Sequence, residues 1–377
     1  MNMIKVPLRL DIAGSYTDLP GYREKGGMHI ATPLDYTVMI YAISNTRHHL
    51  LPVDDFFDEM NHRVAWLLGN HPMNLNSLCS LEQGAGLGGS SATVVGLVQW
   101  YTQAQMGITP HKPVKPPPTP PRGGKEGVGE LTSPSPLIKG GRGVVRAVVN
   151  SPLKIAQLAC QVIEQKGICG RQDEFCAIYA RPVYLYYNNN ETEVQTFEWP
   201  EEFRRNIEGW NLLYIPRTTS CQEMLEYEMN ANLDIEPIVY FTKLMFKAIQ
   251  QADWDEFWKW YMAHWKFIEE QNPHKINDEI RELRKQYAGI YIRPCGAGAG
   301  GYLLIHGNIE GENTIPVRIT NHELRNEFFL SILTISCAFD THSESSCQTH
   351  KHNQFRKLCG PSLETKLCQN GQDIRNS

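Results

Sequence analysis

The chain has 377 residues and a formal net charge of −5, long enough to bury a large core in two domains. Its acidic balance leaves no electrostatic footprint for nucleic acid, and its longest apolar run, Phe328 to Phe339, falls short of the ~18 residues that cross a bilayer. The N-terminus lacks the apolar core of a signal peptide and the ten cysteines form no C-x-x-C pair, so a cytoplasmic chain with reduced thiols is expected.

In chain order, residues 4–12 and 28–44 carry β-rich runs such as Tyr36-Thr-Val-Met-Ile-Tyr-Ala42 and predict strands. Residues 54–68 space Phe56, Phe57, Met60 and Val64 as a helix does. Next comes Glu82-Gln-Gly-Ala-Gly-Leu-Gly-Gly-Ser-Ser-Ala92. Gly84, Gly86, Gly88 and Gly89 free the backbone to curl. Ser90 and Ser91 add hydroxyls where a helix over 92–105 would present unpaired N–H groups and its positive end, and such a loop can grip a polyphosphate. Gly84, Gly86 and Gly89 satisfy G-x-G-x-x-G, but no carboxylate follows about 20 residues on, where Thr102 to Gln105 stand, so a dinucleotide-dependent oxidoreductase is disfavoured. The P-loop pattern fails because Ser90 replaces its lysine. A plain helix-capping turn is the bland alternative.

From Pro110 to Pro136 there are nine prolines, and glycines crowd the same stretch. It cannot bury enough apolar surface to order itself, so 111–149 reads as an insertion at a surface turn, or as a docking segment. A helix is expected over 153–165 after Ser151-Pro152, and a helical pattern beyond Asn211. Over 252–271, Trp254, Phe257, Trp258, Tyr261, Trp265 and Phe267 make an aromatic stripe, read as core-facing rather than sugar-stacking. Gly296, Gly298, Gly300 and Gly301 suit close backbone approach ahead of a strand over 302–305. In the tail, Cys337, Cys347, Cys359 and Cys368 interleave with His342, His350 and His352 at spacings that match no zinc module.

The 82–92 loop resembles the second motif of the GHMP kinases (galactokinase, homoserine kinase, mevalonate kinase, phosphomevalonate kinase). Pro7-Leu-Arg-Leu-Asp-Ile-Ala-Gly-Ser-Tyr-Thr-Asp-Leu-Pro20 is similar to the first motif of the sugar-kinase branch. Pro294-Cys-Gly-Ala-Gly-Ala-Gly-Gly-Tyr-Leu-Leu-Ile305 resembles the third, and Gly170-Arg-Gln-Asp-Glu-Phe175 the segment with the catalytic aspartate. Thr17-Asp18-Leu19-Pro20 looks like the heptose 7-phosphate kinases and fucokinase-like members. Ser15 and Tyr16 stand where galactokinases carry an acidic residue and a histidine, and of the heptose-type glycine run only Gly14 remains.

The resemblance implies a two-lobed α+β fold, with a ribosomal protein S5 domain 2-like N-terminal lobe over 1–180 and a ferredoxin-like lobe over 181–320, followed by an atypical tail over 321–377. It implies ATP and Mg²⁺ as cofactors and a sugar or sugar phosphate as acceptor, D-glycero-D-manno-heptose 7-phosphate foremost. No nucleic-acid or membrane partner is expected, and a homodimer is left open. The expected nucleotide loop is Gly84, Ala85, Gly86, Leu87, Gly88, Gly89, Ser90 and Ser91. Asp173 is the expected base, or a helix N-cap, with Arg9 keeping it ionised. Ser90, Ser91 and Glu164 are the expected metal ligands, although a helix-end glutamate can also be simply solvated. Asp18 would accept sugar hydroxyls, or sit in a turn, and Arg171 would meet a substrate phosphate, or face solvent. The rival readings are a fucokinase- or galactokinase-like sugar 1-kinase and a catalytically inactive relative that binds nucleotide or a partner.

Overall fold

The computed structural model describes residues 3–42, 55–82, 86–105, 151–188 and 191–320. Gly84, Ala85, the 111–149 stretch and the 321–377 tail lie outside the described residues. All described residues belong to one compact unit spanning 2–324.

The fold is α+β, with two antiparallel sheets. The elements run β1 (Met3–Ala13), β2 (Met28–Ala42), α1 (Asp55–Leu67), β3 (Leu75–Cys79), α2 (Gly89–Gln105), α3 (Pro152–Glu164), α4 (Gln172–Tyr179), β4 (Val183–Asn188) and β5 (Glu191–Thr196). They continue with α5 (Glu201–Glu208), β6 (Asn211–Ile215), α6 (Cys221–Asn230), α7 (Glu236–Gln251), α8 (Trp254–Gln271), α9 (Asp278–Gln286), β7 (Ile292–Pro294), β8 (Gly301–Ile305) and β9 (Ile315–Pro316). The first sheet has the order β1-β2-β4-β5, and β3 shares with β4 the edge of β2 that faces away from β1. The second sheet has the order β7-β8-β6-β9.

β1 alternates with period two, the signature of a strand covered differently on its two faces. Val6, Leu8, Leu10 and Ile12 are buried in the main apolar core. Arg9 and Asp11 are buried as well, at the alternate positions of the strand. Two register shifts in the β1–β2 ladder fall at Pro7/Arg9 and Asp11/Ala13, beside these polar residues. Such bulges re-aim side chains near functional sites.

α2 packs on β1 and β2 as well as on α1, α3 and α4. Ala92, Val94, Val95, Leu97, Val98 and Tyr101 are buried along it, so this helix is apolar on most of its surface and sits between layers. In the second sheet, β6 sends Leu212 to the main core and Leu213 and Ile215 to a smaller one, which they share with Ile276 and Ile280 beside α9. Its helices are capped by their own sequences. Ser220 and Glu223 form a reciprocal capping box at α6, Asp253 caps α8, and Asn277 caps α9.

The strand, α1, α3 and α8 expectations hold to within a few residues. Two differ. α2 begins at Gly89 rather than Ala92, which puts both serines inside the first helical turn. The stretch after Asn211 opens with a strand, because the short apolar run Asn211-Leu-Leu-Tyr-Ile215 pairs with β8 before Pro216 ends it. The expected core-facing stripe is confirmed: Phe257, Tyr261 and Trp265 are buried on one face of α8. Among the described residues, no helix is long and apolar enough to cross a membrane.

Candidate active site

The site forms where β1, the 86–91 loop and the start of α4 meet. Arg9 holds all three. Its backbone N–H donates to Leu87 O (3.0 Å), its NH1 donates to Gly86 O (3.1 Å), and its Nε donates to Asp173 Oδ1 (2.5 Å). The pair is unequally covered: the Arg9 side chain is 6 % exposed and that of Asp173 23 %. A reacting group can therefore approach Asp173 while the guanidinium supports it from behind. The charges of Asp173 and Asp11 hold the buried Arg9 above its ordinary range.

Two glycines of the loop are required by space. Gly88 has φ +73°, and a Cβ there would lie 3.1 Å from Arg9 Cγ and 3.3 Å from Asp173 Oδ2. Gly86 has φ +94°, and its Cβ would fall 2.4 Å from Cys295 O. The loop is thus pressed between the Arg9–Asp173 pair on one side and the 295–301 glycine segment on the other. The expected close backbone approach at Gly296 is this contact. Beyond the loop, Ala92 N–H makes the first hydrogen bond of α2, to Gly88 O. The N–H groups of Gly89, Ser90 and Ser91 precede it and are available to an anion at the positive end of the helix. Ser90 is exposed there and Ser91 is buried.

Asp173 lies in the first turn of α4, so it does not cap the helix. The cap comes from Asp18, whose Oδ2 accepts from Arg171 N–H (2.7 Å) and Gln172 N–H (3.0 Å). Its Oδ1 sits 3.5 Å from His29 Nε2, and Asp18 is only 2 % exposed. Asp18 was expected to take sugar hydroxyls; in the structure its Oδ2 is committed to holding α4, which leaves only Oδ1, beside His29, for such a role. Arg171 points its Nε at Glu164 Oε1 (2.9 Å).

Glu164 is likewise not at the serine loop. Its Oε1 also accepts from Arg23 NH1 (2.9 Å), so two guanidinium groups neutralise it. The carboxyl beside the serines is Glu174, whose Oε1 accepts from Ser91 Oγ (2.7 Å). Glu174 is fully buried, and its Oε2 has no hydrogen-bond partner. Burial first, and then the charge of Asp173, push its carboxyl up to about 8. Asp173 and Glu174 are adjacent in sequence, and the α4 helix separates their side chains into different surroundings.

Four more residues join the site without a sequence signal. Arg217 NH1 donates to Gly298 O (2.7 Å), which fastens the loop after β6 to the second glycine segment. Lys275 and Glu228 form a buried pair behind that segment. Arg293 is completely buried and bridges the two sheets. Its NH2 donates to Asp11 O, its Nε to Tyr261 OH (2.6 Å), and its guanidinium carbon lies 3.9 Å from the centre of the Trp265 ring.

Searches of protein-family models and of curated sequences return no match. Solved structures do share the fold. One, from Campylobacter jejuni, carries a provisional description as a sugar kinase; it is 18 % identical, aligned over 85 % of this chain and 96 % of its own, with a TM-score of 0.55. A D-glycero-D-manno-heptose 1-phosphate kinase from Bacteroides thetaiotaomicron is 13 % identical over 85 % and 96 % of the two chains, with a TM-score of 0.54. The Streptococcus pneumoniae phosphomevalonate kinase in complex with phosphomevalonate and AMPPNP is 14 % identical over 81 % and 92 %, also at 0.54. The chain therefore has the fold of solved small-molecule kinases.

Proposed function

We propose that the chain is an ATP-dependent kinase of the GHMP type that phosphorylates a hydroxyl of a sugar or sugar phosphate, D-glycero-D-manno-heptose 7-phosphate foremost. The observation that carries the reading is the Arg9–Asp173 pair set against the glycine loop, with a buried cation behind a reachable carboxylate. The fold shared with a heptose phosphate kinase and with a kinase solved with AMPPNP supports the same reading. So does the order of the four motifs along the chain.

In this reading the N–H groups of Gly89, Ser90 and Ser91 meet phosphate oxygens of the nucleotide, beside the turn made by Gly86 to Gly88. The acceptor hydroxyl lies beside Asp173, which orients it and takes its proton as the new O–P bond forms and the bond to the leaving ADP oxygen breaks. Arg9 holds the Asp173 carboxylate in place through its Nε. When bound, magnesium would supply charge neutralisation for the nucleotide phosphates. Ser90, Ser91 and the partnerless oxygen of Glu174 fit that group, as a magnesium ion needs only one or two protein ligands beside the phosphates. Glu164, already held by two arginines, does not fit.

ATP consumption by the purified chain with Mg²⁺ and a panel of heptose and hexose phosphates and free sugars tests the reading. Turnover on one acceptor, reduced ~10²–10⁴-fold in Asp173→Asn, is the expected result. Turnover on a free sugar at its anomeric hydroxyl would favour the sugar 1-kinase. Nucleotide binding without turnover on any acceptor would make the chain an inactive relative.

A further inference from the structure

Behind the 295–301 glycine segment lies an ion pair that the chemistry above does not use. Lys275, in the 3-10 turn Pro273–Lys275, and Glu228, on α6, are 2 % and 1 % exposed and meet at 2.7 Å. Asn272 Nδ2 donates to the same carboxylate oxygen (3.1 Å). The ammonium has three donors. The two that do not serve Glu228 go to the carbonyls of Gly296 (3.4 Å) and Ala297 (3.2 Å). The backbone of Lys275 closes the arrangement, since its carbonyl accepts from Ala299 N–H (2.9 Å). Gly298, at φ +93°, leaves the space that the Lys275 stem fills, where a Cβ would come within 2.9 Å of it. One lysine thus holds three successive peptide units.

What it holds is the wall of the phosphate loop. Cys295 O and the Gly296 backbone are the atoms against which Gly86 is pressed. A buried ion pair is a poor source of net stability, because desolvation of both charges offsets most of their attraction, and well-packed apolar residues often serve as well. Apolar residues cannot, however, grip two carbonyls. We infer that Lys275, oriented by Glu228, is a positioning residue that fixes the 295–299 backbone and through it the seat of the nucleotide phosphates. The second step of this inference rests on the nucleotide reading above; the first does not.

Two variants separate geometry from stability. Lys275→Met leaves Glu228 buried without its partner and is expected to lose thermal stability. The double variant Lys275→Met/Glu228→Gln removes both charges, keeps an acceptor for Asn272 Nδ2 and is expected to recover much of that loss in melting temperature. It should nonetheless bind AMPPNP·Mg²⁺ about tenfold or more weakly in calorimetry, the loss of charge-assisted hydrogen bonds expected to be that large. Amide exchange across 296–300, measured without ligand, should accelerate at least about tenfold in the same protein. A double variant that matches the parent in both AMPPNP affinity and amide protection overturns the inference. So does rapid exchange of the Ala299 amide in the parent itself, which requires no variant to fold. A parent that shows slow Ala299 exchange but binds no AMPPNP would instead overturn the nucleotide reading and leave the grip on the backbone standing.

Discussion

Asp18 shows how far a residue's surroundings can redirect its chemistry. Exposed in a turn, its carboxylate could accept hydroxyls. Buried against α4, it accepts two backbone N–H groups that otherwise have no partner in the helix. Asp18→Ala should therefore cost roughly 1–3 kcal/mol of stability in urea denaturation, the range of a lost cap and a buried unsatisfied donor. A residue that only bound substrate would leave the urea midpoint unmoved. The same reasoning separates the two adjacent acids of α4. Asp173 faces a guanidinium and an opening, whereas Glu174 faces a serine and the interior. Consecutive helix positions lie about 100° apart, so neighbours in sequence report on different environments.

At the scale of elements, α8 was fully legible. Phe257, Tyr261 and Trp265 recur every four residues, and Trp254 and Trp258 fill in the three- and four-residue spacings of one helix face. Trp265 also donates to Ile12 O (3.1 Å) and lies under the Arg293 guanidinium. Trp265→Ala should destabilise by about 3–5 kcal/mol, with the lowered urea midpoint as the check. The glycine loop was legible for a related reason, since each positive-φ or contact-limited position excludes a side chain and so leaves its mark on the sequence. The Asp18 cap, the Glu164 arginine pair and the Lys275–Glu228 grip left none. Their partners lie 153, 141 and 47 positions apart or thereabouts, and an isolated aspartate or lysine reads the same whether it meets solvent, substrate or another loop. The strand β6 was misread because its five residues carry too little periodicity to exclude a helix.

Across the whole molecule, buried histidines link stability to acidity. Burial and the Arg293 charge hold His264 and His306 well below the ordinary imidazole range. In the folded state they stay neutral, while the unfolded chain takes up protons below pH ~6.5. Their contribution is complete above that pH and is lost as the pH falls through it, with a slope of up to about 1.4 kcal/mol per pH unit for each histidine. The buried Glu174 works in the opposite sense, because its raised carboxyl favours the folded state most at low pH. The informative comparison is therefore His264→Gln, which keeps an acceptor for the Gly14 N–H bonded at 3.0 Å. Between pH 7.5 and 5, its urea midpoint should fall less steeply than that of the parent. A final consequence concerns time. The backbone of Asp11 on β1 is completed by Arg293, 282 positions later. At ribosomal speeds of about 5–20 residues per second, the chain emerges for roughly a quarter of a minute to a minute before that partner exists. Through all of it, the carbonyl of Asp11 in a buried strand waits for the donor that completes it.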